Sequence, residues 1–521
     1  MPYPYKTFRE WFADEEKLGN VIRLKTPIKC GDYNNIVDQE HGIPGKIPET
    51  ELRALCRYFH SLPGKPMGII ENPVNNRPDI PVIVNPWATR ERTLRSMGFK
   101  DKDELCRKYG DVLKNKIKPV KVSKGEALCK QVIIPEEQVD LMKDIPRCWV
   151  EFNQFLWSGC NGIIITYDPE TKSHNLGKLR AGQFDWKDGN PNDPYPEEKV
   201  KKQMIATMGT PMYSHMASNT GRYYYYNYRL KNKPMPCIYT FGLPGDIHQV
   251  ASYRKLLWPE TGDEYEILGG FRGNPLEVVE SETIPGLMVP AHAEWVIEGE
   301  FLPEDIVTPP YGEDFFAGIM LGGMTWPVFR VKCITHRKEP WWTATTFSSS
   351  GLHGHEGTHT GLAILNTEAE AVAYLRDVGF KVKDVVMIAG SLMVVQLDID
   401  GAAKPYPHYG KKVAMALAAD GMWGLAAKFI IVVGPDIDPY DGVDVLWALA
   451  LRVQPVSDTI VVEKGLGLDP VTVRGQLEIA GEQVMIDALI KVPERHDTWP
   501  PRSEPPDWER EAIKRMKEKL G

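Results

Sequence analysis

The sequence predicts a multidomain α/β protein with an N-terminal α/β domain, a central β-barrel and a C-terminal α/β domain. Its 521 residues suffice for about two to four domains. A content of 42% apolar and 25% charged residues is typical of a folded enzyme with a sizeable core. Along the chain, strands punctuated by Pro and Gly give way to alternating helices and strands, which indicates a change of domain type. The predicted divisions are 1–122, 123–331, 332–498 and 499–521.

The first region combines a helix with short strands. An amphipathic helix is predicted over residues 50–59, where Thr50 is a favourable capping residue. A strand is predicted over Ile80–Val84, which is rich in β-branched residues. Together these patterns indicate a small α/β unit.

The central region carries the strands of the predicted barrel. A hairpin is predicted with one arm at Ile163–Tyr167, a turn at Asp168–Thr171 and a return arm over 175–180. Side-chain direction alternates along a strand, so Asn175 and Arg180 are expected on opposite faces of the return arm. Further strands are predicted at residues 237–241, 276–279 and 293–298.

The third region alternates helical and strand patterns. Helices over 368–375 and 410–425 precede strands over 385–388 and 429–433. This alternation predicts a parallel sheet with crossover helices. After a Pro-rich linker, residues 507–519 are predicted to form a charged helix, and we expect it to dock or to join subunits rather than to catalyse.

Charge and cysteine usage exclude several classes of protein. A net charge of −8 argues against a dedicated nucleic-acid or anionic-membrane surface, since both need concentrated positive charge. No apolar stretch approaches the roughly 18 to 20 residues that a membrane helix needs. The eight cysteines lack a Cys-x-x-Cys spacing, so neither a zinc ribbon nor a disulfide framework is indicated. We therefore expect a cytoplasmic protein without a nucleic-acid or membrane partner.

Several motifs occur in a fixed order along the chain. They are Asn175-Leu176-Gly177-Lys178-Leu179-Arg180, Glu264 followed by residues 269–279, residues 289–294 leading to Tyr311-Gly312-Glu313, and residues 436–439, 444–448 and 452–455. Through these motifs nearly the whole chain resembles the UbiD family of decarboxylases, which use prenylated FMN. Several ordered matches are far more specific than a single glycine motif.

The resemblance implies an architecture, cofactors and partners. The central domain would be a split β-barrel of the flavin-reductase-like kind that binds prenylated FMN. The flavin phosphate would be held through Mn²⁺ or Mg²⁺, with K⁺ as a further ion. The C-terminal domain would mediate a homo-oligomer, a dimer or a hexamer. A prenyl-flavin synthase would supply the cofactor.

The implied reaction is the reversible, non-oxidative decarboxylation of an aromatic or conjugated unsaturated carboxylic acid through a covalent adduct with prenylated FMN. The substrate would be an aromatic acid in one direction and an arene with CO₂ in the other. Such chemistry belongs to the cofactor, while the protein contributes orientation and a proton relay.

The resemblance also assigns roles to five residues by motif position. Asn175, His215 and Glu264 would be metal ligands, and Asn175, Arg180 and Glu264 would bind the cofactor. Amide and carboxylate oxygens with one imidazole suit Mn²⁺ or Mg²⁺. Arg180 and Glu313 would be catalytic, because a fixed guanidinium can hold a carboxylate and a carboxylic acid in an apolar pocket can donate a proton.

One position departs from the family pattern. The family carries a glutamate five positions before the proton donor, and this chain has Thr308 there. A replacement could come from residues 353–359, which hold three imidazoles and a carboxylate, although histidines that only pack or face solvent are the alternative. Two other functions stay open: a flavin-binding or assembly subunit without turnover and, less favoured for want of a dinucleotide-binding Gly motif, a flavin reductase.

Overall fold

The computed structural model describes residues 3–38, 46–149, 162–179, 181–182, 192–206, 219–252, 262–307, 312–313, 320–321, 326–344, 359–388, 392–399, 408–419, 427–463, 482–490 and 506–520. Its architecture is a multidomain α/β fold with a large antiparallel half-barrel sheet at its centre.

The N-terminal region is an α/β unit around a four-stranded mixed sheet. In sheet order the strands are β1 (Val21–Leu24), β5 (Met67–Ile70), β7 (Val82–Val84) and β21 (Trp342–Ala344). Two small strand pairs flank it, β2 (Ile28–Lys29) with β6 (Pro73–Val74) and β3 (Asp32–Asp38) with β4 (Lys46–Glu49). The helices are α1 (Phe8–Lys17), α2 (Leu52–Ser61), α3 (Arg90–Ser96) and α4 (Lys102–Val112). The predicted helix and strand are confirmed as α2 and β7, although Glu51 rather than Thr50 is the N-cap residue of α2.

The central region is an eight-stranded antiparallel sheet among the described residues. Its order is β11 (His174–Lys178), β10 (Ile163–Tyr167), β14 (Met235–Phe241), β17 (Trp295–Val307), β20 (Trp326–His336), β13 (Gln203–Ala206) and β12 (Ala181–Gly182), with β9 (Val132–Pro135) also paired to β20. The predicted hairpin and the strands at 237–241 and 293–298 are confirmed as parts of this sheet.

The strand predicted at 276–279 does not belong to the half-barrel. It is β15 (Glu277–Glu280), which lies between β8 (Val120–Lys121) and β16 (Met288–Pro290) in a separate three-stranded sheet. The placement of this strand in a barrel was therefore wrong, because its hydrogen-bond partners come from outside the large sheet.

The structure departs from the predicted domain boundary at 331/332. β20 runs through the boundary at 331/332, because its pairing with β17 continues from Trp326 to His336. The next strand, β21, then pairs with β7 and completes the N-terminal sheet. A segment beyond the half-barrel is thus part of the first domain's sheet.

The C-terminal region is built on a five-stranded mixed sheet. Its order is β22 (Val382–Ile388), β23 (Leu392–Leu397), β24 (Phe429–Val433), β26 (Gln483–Asp487) and β25 (Thr459–Val462). The three inner strands are parallel and both edge strands are antiparallel. The fully parallel prediction was wrong at β22, because β23 follows it too closely for a crossover and must pair as a hairpin.

The remaining helices follow β9 along the chain, and the last of them forms the tail. They are α5 (Leu141–Asp144), α6 (Glu197–Lys202), α7 (Asn219–Arg222), α8 (Gly245–Val250), α9 (Glu264–Arg272), α10 (His359–Asp377), α11 (Tyr409–Ala419), α12 (Gly442–Arg452) and α13 (Asp507–Leu520). A π-helix over Tyr223–Tyr228 continues α7, and a short pair is formed by β18 (Gly312–Glu313) and β19 (Met320–Leu321). The helices predicted over 368–375 and 507–519 are confirmed as α10 and α13. The helix predicted over 410–425 is confirmed as α11 up to Ala419, and its residues 420–425 lie outside the described residues.

The apolar core is continuous across the three regions. One buried cluster contains Trp11 of α1, Leu268 of α9, Val372 of α10 and Val432 of β24. Burial of such side chains contributes about 1.5–3 kcal/mol each, so this shared core holds the regions together. None of the described helices combines the length and apolar character required to cross a membrane.

Candidate active site

Asn175 lies on β11, the return arm of the hairpin, and is almost fully buried with 2% of its surface exposed. Its Nδ2 donates a hydrogen bond of 2.9 Å to Oγ1 of Thr220 at the start of α7. Gly177 makes this approach possible, because a Cβ there would stand 3.0 Å from the same Thr220 oxygen and 3.1 Å from Ile164. The bond orients the amide, so its carbonyl oxygen is the atom suited to a metal.

Glu264 occupies the first turn of α9 and is also buried, with 1% of its surface exposed. Its Oε2 accepts a short hydrogen bond from the backbone N–H of Leu176. Glu264 is therefore not a solvated surface acid. Two residues that are 89 positions apart in sequence, Asn175 and Glu264, are brought together, because the carboxylate binds the residue next to the asparagine.

Asp263 makes a second connection between α9 and β11. As the N-cap residue it accepts a 2.9 Å hydrogen bond from the N–H of Tyr265. Its Oδ2 accepts bonds of 2.9 Å from the backbone N–H of His174 and 2.7 Å from His174 Nδ1. Two consecutive acids therefore bind His174 and Leu176, the residues on either side of Asn175.

Charge and packing hold α9 in this place. Burial alone would raise the pKa of the Asp263 carboxyl, but the hydrogen bonds from His174 outweigh it and lower that pKa. Acidic groups in a first turn also interact favourably with the helix dipole. At the other end, Arg272 makes two hydrogen bonds of 2.7 and 2.9 Å to Asp246 of α8 in a fully buried pair. Gly273 then ends the helix in the left-handed conformation, at φ +66°.

The residues present fit a divalent metal of the Mn²⁺ or Mg²⁺ type. The amide oxygen of Asn175 and the carboxylate of Glu264 are hard oxygen donors, which these ions prefer. His215, the predicted third ligand, lies outside the described residues. Within the described part of the chain there is no group of three His, Cys, Asp or Glu residues that could hold a metal. The predicted set is of another kind, because Asn175 contributes an amide and His215 lies outside the described residues. The metal site therefore stays a prediction.

The predicted catalytic residues are placed only in part. Glu313 belongs to β18, where it pairs with Met320 of β19, but its side chain lies outside the described part of the structure. Arg180, Thr308 and residues 353–358 also lie outside it. The neighbours of Arg180 are described and buried, since Leu179 is 3% and Ala181 1% exposed.

Sequence reasoning missed the groups that hold the candidate ligands. Thr220, His174 and Asp263 were not singled out, and each contacts a ligand or its neighbour. His174 and Asp263 do immediately precede Asn175 and Glu264, which is the one signal that could have indicated them. Their contact spans 89 positions, so no local pattern encodes it.

Two family models match the chain. One is described as the 3-octaprenyl-4-hydroxybenzoate carboxy-lyase Rift-related domain and matches residues 120–350. The other, the C-terminal domain of the same carboxy-lyase, matches residues 361–488. Together they cover more than half of the chain, which therefore belongs to the UbiD family of carboxy-lyases. The prediction of family and enzyme class is confirmed, and neither an inactive subunit nor a flavin reductase is favoured.

Solved structures share the fold over nearly the full length. Vanillic acid decarboxylase of Sedimentibacter hydroxybenzoicus in its open form is 22% identical, with 99% of each chain covered and a TM-score of 0.74. The apo 3,4-dihydroxybenzoic acid decarboxylase of Enterobacter cloacae is 20% identical, with 98% of this chain and 99% of that chain covered and a TM-score of 0.74. An evolved dimeric form of the UbiD-class enzyme HmfF from Pelotomaculum thermopropionicum, in complex with prFMN, is 19% identical, with 96% and 97% covered and a TM-score of 0.72. The TM-scores establish a shared fold.

Proposed function

We propose that this carboxy-lyase catalyses the reversible decarboxylation of an aromatic or conjugated unsaturated acid with prenylated FMN as its cofactor. The observation that carries the proposal is the buried contact between the Asn175 and Glu264 segments in a chain of the UbiD family. The matched HmfF structure contains prFMN, which supports the same cofactor here.

The metal and cofactor would be held at the junction of β11 and α9. Asn175, His215 and Glu264 would bind Mn²⁺ or Mg²⁺, which would neutralise the flavin phosphate, and K⁺ is a further proposed ion. The buried setting supports this arrangement, because a weakly screened ion interacts more strongly with its ligands. When bound, prenylated FMN supplies an electrophilic carbon that takes up the electron pair left by the carboxyl group.

Arg180 and Glu313 would act on the substrate. The guanidinium of Arg180 stays charged and offers a fork of donors that matches a carboxylate. Glu313 would donate a proton to the carbon that loses CO₂, and in the carboxylation direction its carboxylate would remove that proton. Since Thr308 cannot serve as an ionised partner, Glu313 would carry the proton transfer or share it with a histidine of residues 353–359.

The domain layout and assembly complete the proposal. The half-barrel would be a split barrel of the flavin-reductase-like kind, and the C-terminal α/β domain would join subunits into a dimer or a hexamer. A prenyl-flavin synthase would supply the cofactor.

The test is expression with a prenyl-flavin synthase, followed by the mass and visible spectrum of the bound cofactor. A screen for CO₂ release over aromatic acids, including hydroxylated benzoic acids, then measures turnover. We expect a bound prenylated flavin and release of CO₂ from at least one acid. A chain that carries the cofactor but releases no CO₂ and exchanges no substrate hydrogen would favour the inactive subunit instead.

A further inference from the structure

We propose that His174 and Asp263 are positioning residues that fix the two candidate metal ligands relative to each other, an inference that rests on the proposed function. His174 is the residue before Asn175, and Asp263 is the residue before Glu264. A bond between His174 and Asp263 therefore sets the separation of Asn175 and Glu264. Neither His174 nor Asp263 touches the metal in this proposal.

The hydrogen bonds of the His174 ring define which of its nitrogens donates and which accepts. The N–H of Met288 donates to His174 Nε2 at 3.2 Å, so this nitrogen is an acceptor and carries no proton. Nδ1 must then carry the proton, and it donates to Asp263 Oδ2 at 2.7 Å. Both ring nitrogens are thus hydrogen-bonded, Nδ1 as the donor to Asp263 and Nε2 as the acceptor from Met288.

Met288 of β16, in the neighbouring sheet, is hydrogen-bonded to both His174 and Tyr265. Its carbonyl accepts a 2.9 Å hydrogen bond from the hydroxyl of Tyr265, the residue after Glu264. The Tyr265 ring lies 4.7 Å from the His174 ring, centroid to centroid. One residue of β16 therefore binds a neighbour of each candidate ligand, and α9, β11 and β16 form one hydrogen-bonded unit.

Burial strengthens the hydrogen bonds that join α9, β11 and β16. The side chains of His174 and Asp263 are 13% and 19% exposed, so water competes little for their hydrogen bonds. Without the imidazole, the side-chain bond from Asp263 to β11 is lost and only its backbone bond to residue 174 remains. Groups that orient metal ligands in this way typically contribute about tenfold to a hundredfold in metal affinity.

The chain offers a matched control. His292 is also 13% exposed and also pairs with a carboxylate, Glu277, at 2.5 Å. It does not neighbour a candidate metal ligand in the sequence. Replacing it removes an imidazole of the same exposure and the same kind of pair, without loosening the contact between β11 and α9.

The experiment titrates MnCl₂ into the apo protein with saturating FMN and reads free Mn²⁺ from its electron paramagnetic resonance signal. We expect His174→Leu to weaken Mn²⁺ binding by about tenfold to a hundredfold. His292→Leu should bind Mn²⁺ as wild type does. His174→Asn should restore most of the affinity, because the Asn amide can donate to Asp263 from near the position of Nδ1.

Any of four outcomes would overturn the inference while leaving the proposed function standing. Wild-type Mn²⁺ affinity in folded His174→Leu would do so, and so would an equal loss in His292→Leu or a failure of His174→Asn to recover affinity. If His174→Leu does not fold, Asp263→Asn replaces it, because Asn retains the N-cap of α9, and wild-type affinity in that variant overturns the inference. No Mn²⁺ binding by the wild type would instead reject the metal centre of the proposed function together with this inference.

Discussion

At the scale of single residues, the candidate site depends on polar side chains that are buried and nevertheless bonded. Asn175 and Glu264 are 2% and 1% exposed, and each has a hydrogen-bond partner on another element. A buried polar group without a partner lowers the stability of the fold by about 1–3 kcal/mol, and these contacts avoid that cost. They also fix where the two oxygen donors stand.

We expect Glu264→Gln to lose bound metal and flavin together while the protein stays folded. The Gln amide oxygen can still accept from the N–H of Leu176, but a neutral amide cannot balance the charge of a divalent ion. Metal analysis and flavin absorbance of the purified protein measure the effect. Glu266→Gln, in the same turn of α9, is the control and should keep both. Full retention of metal and flavin in Glu264→Gln would reject its assignment as a ligand.

The second residue prediction concerns Glu313. If it is the proton donor, Glu313→Gln should retain flavin but slow both CO₂ release and exchange of the substrate hydrogen with solvent deuterium. Both reactions need proton transfer at the same carbon, and general acid catalysis contributes about 10² to 10⁴-fold. Mass spectrometry of the substrate follows the exchange. Near-normal exchange here, with its collapse in His355→Asn or His359→Asn, would assign the proton to the histidine segment.

At the scale of elements, α12 presents an exposed apolar face that the described structure leaves uncovered. Val443, Leu446 and Leu451 are 75%, 64% and 57% exposed. The tail helix α13 likewise exposes Trp508 at 69%. Large exposed apolar side chains that recur on one helix are typical of protein interfaces, which supports assembly through the C-terminal region.

We expect Leu446→Asp to shift the protein from an oligomer towards the monomer. A carboxylate at the centre of an apolar interface costs several kcal/mol to desolvate, so association should weaken by more than about tenfold. Light scattering at micromolar concentration measures the mass. Leu230→Asp is the matched control, since Leu230 is 62% exposed and lies outside the C-terminal region. A monomeric wild type, or an unchanged mass in Leu446→Asp, would contradict the prediction.

At the scale of the whole molecule, a buried charge cluster joins the N-terminal helices to the C-terminal domain. Glu368 of α10 binds Arg90 of α3 at 2.9 Å and Lys102 of α4 at 2.7 Å. Lys102 also contacts Asp384 of β22 at 2.7 Å. Because Glu368 is fully buried, its charge must stay paired, and the pairing ties the N-terminal helices to the C-terminal domain.

This cluster predicts how stability depends on pH. Burial would raise the pKa of Glu368, but Lys102 and Arg90 outweigh it and lower that pKa from 4.5 to about 2. The stabilisation is therefore complete above pH 4.5 and is lost as the pH falls towards 2. We expect Glu368→Gln to lower the free energy of unfolding by about 3–5 kcal/mol at pH 7, since it removes the buried carboxylate that Arg90 and Lys102 share.

Denaturant unfolding at several pH values measures this effect. The difference between wild type and Glu368→Gln should narrow as the pH falls from 4.5 towards 2. Glu280→Gln is the control, because its pair with Lys121 is 37% and 58% exposed, so water screens the pair and its loss should change the free energy of unfolding far less. A pH-independent difference would show that Glu368 acts through packing alone.

The sequence by itself determined the elements whose residues carry a local period or a turn. The hairpin of β10 and β11, the strands β14, β17 and β24, and the helices α2 and α10 follow from alternation, β-branched runs and helical spacing. The ordered motifs also determined the family and indicated Asn175 and Glu264 as site residues. These features depend on neighbours in the chain, and a single sequence displays them.

Only the tertiary structure decided which of these elements meet. It placed β15 outside the half-barrel, returned β21 to the N-terminal sheet and paired β22 with β23 as a hairpin. It also brought His174 to Asp263 across 89 positions and so revealed what holds the candidate ligands. Strand partners and buried contacts depend on how whole elements pack. Residues far apart in the chain share no local sequence pattern that would predict such packing.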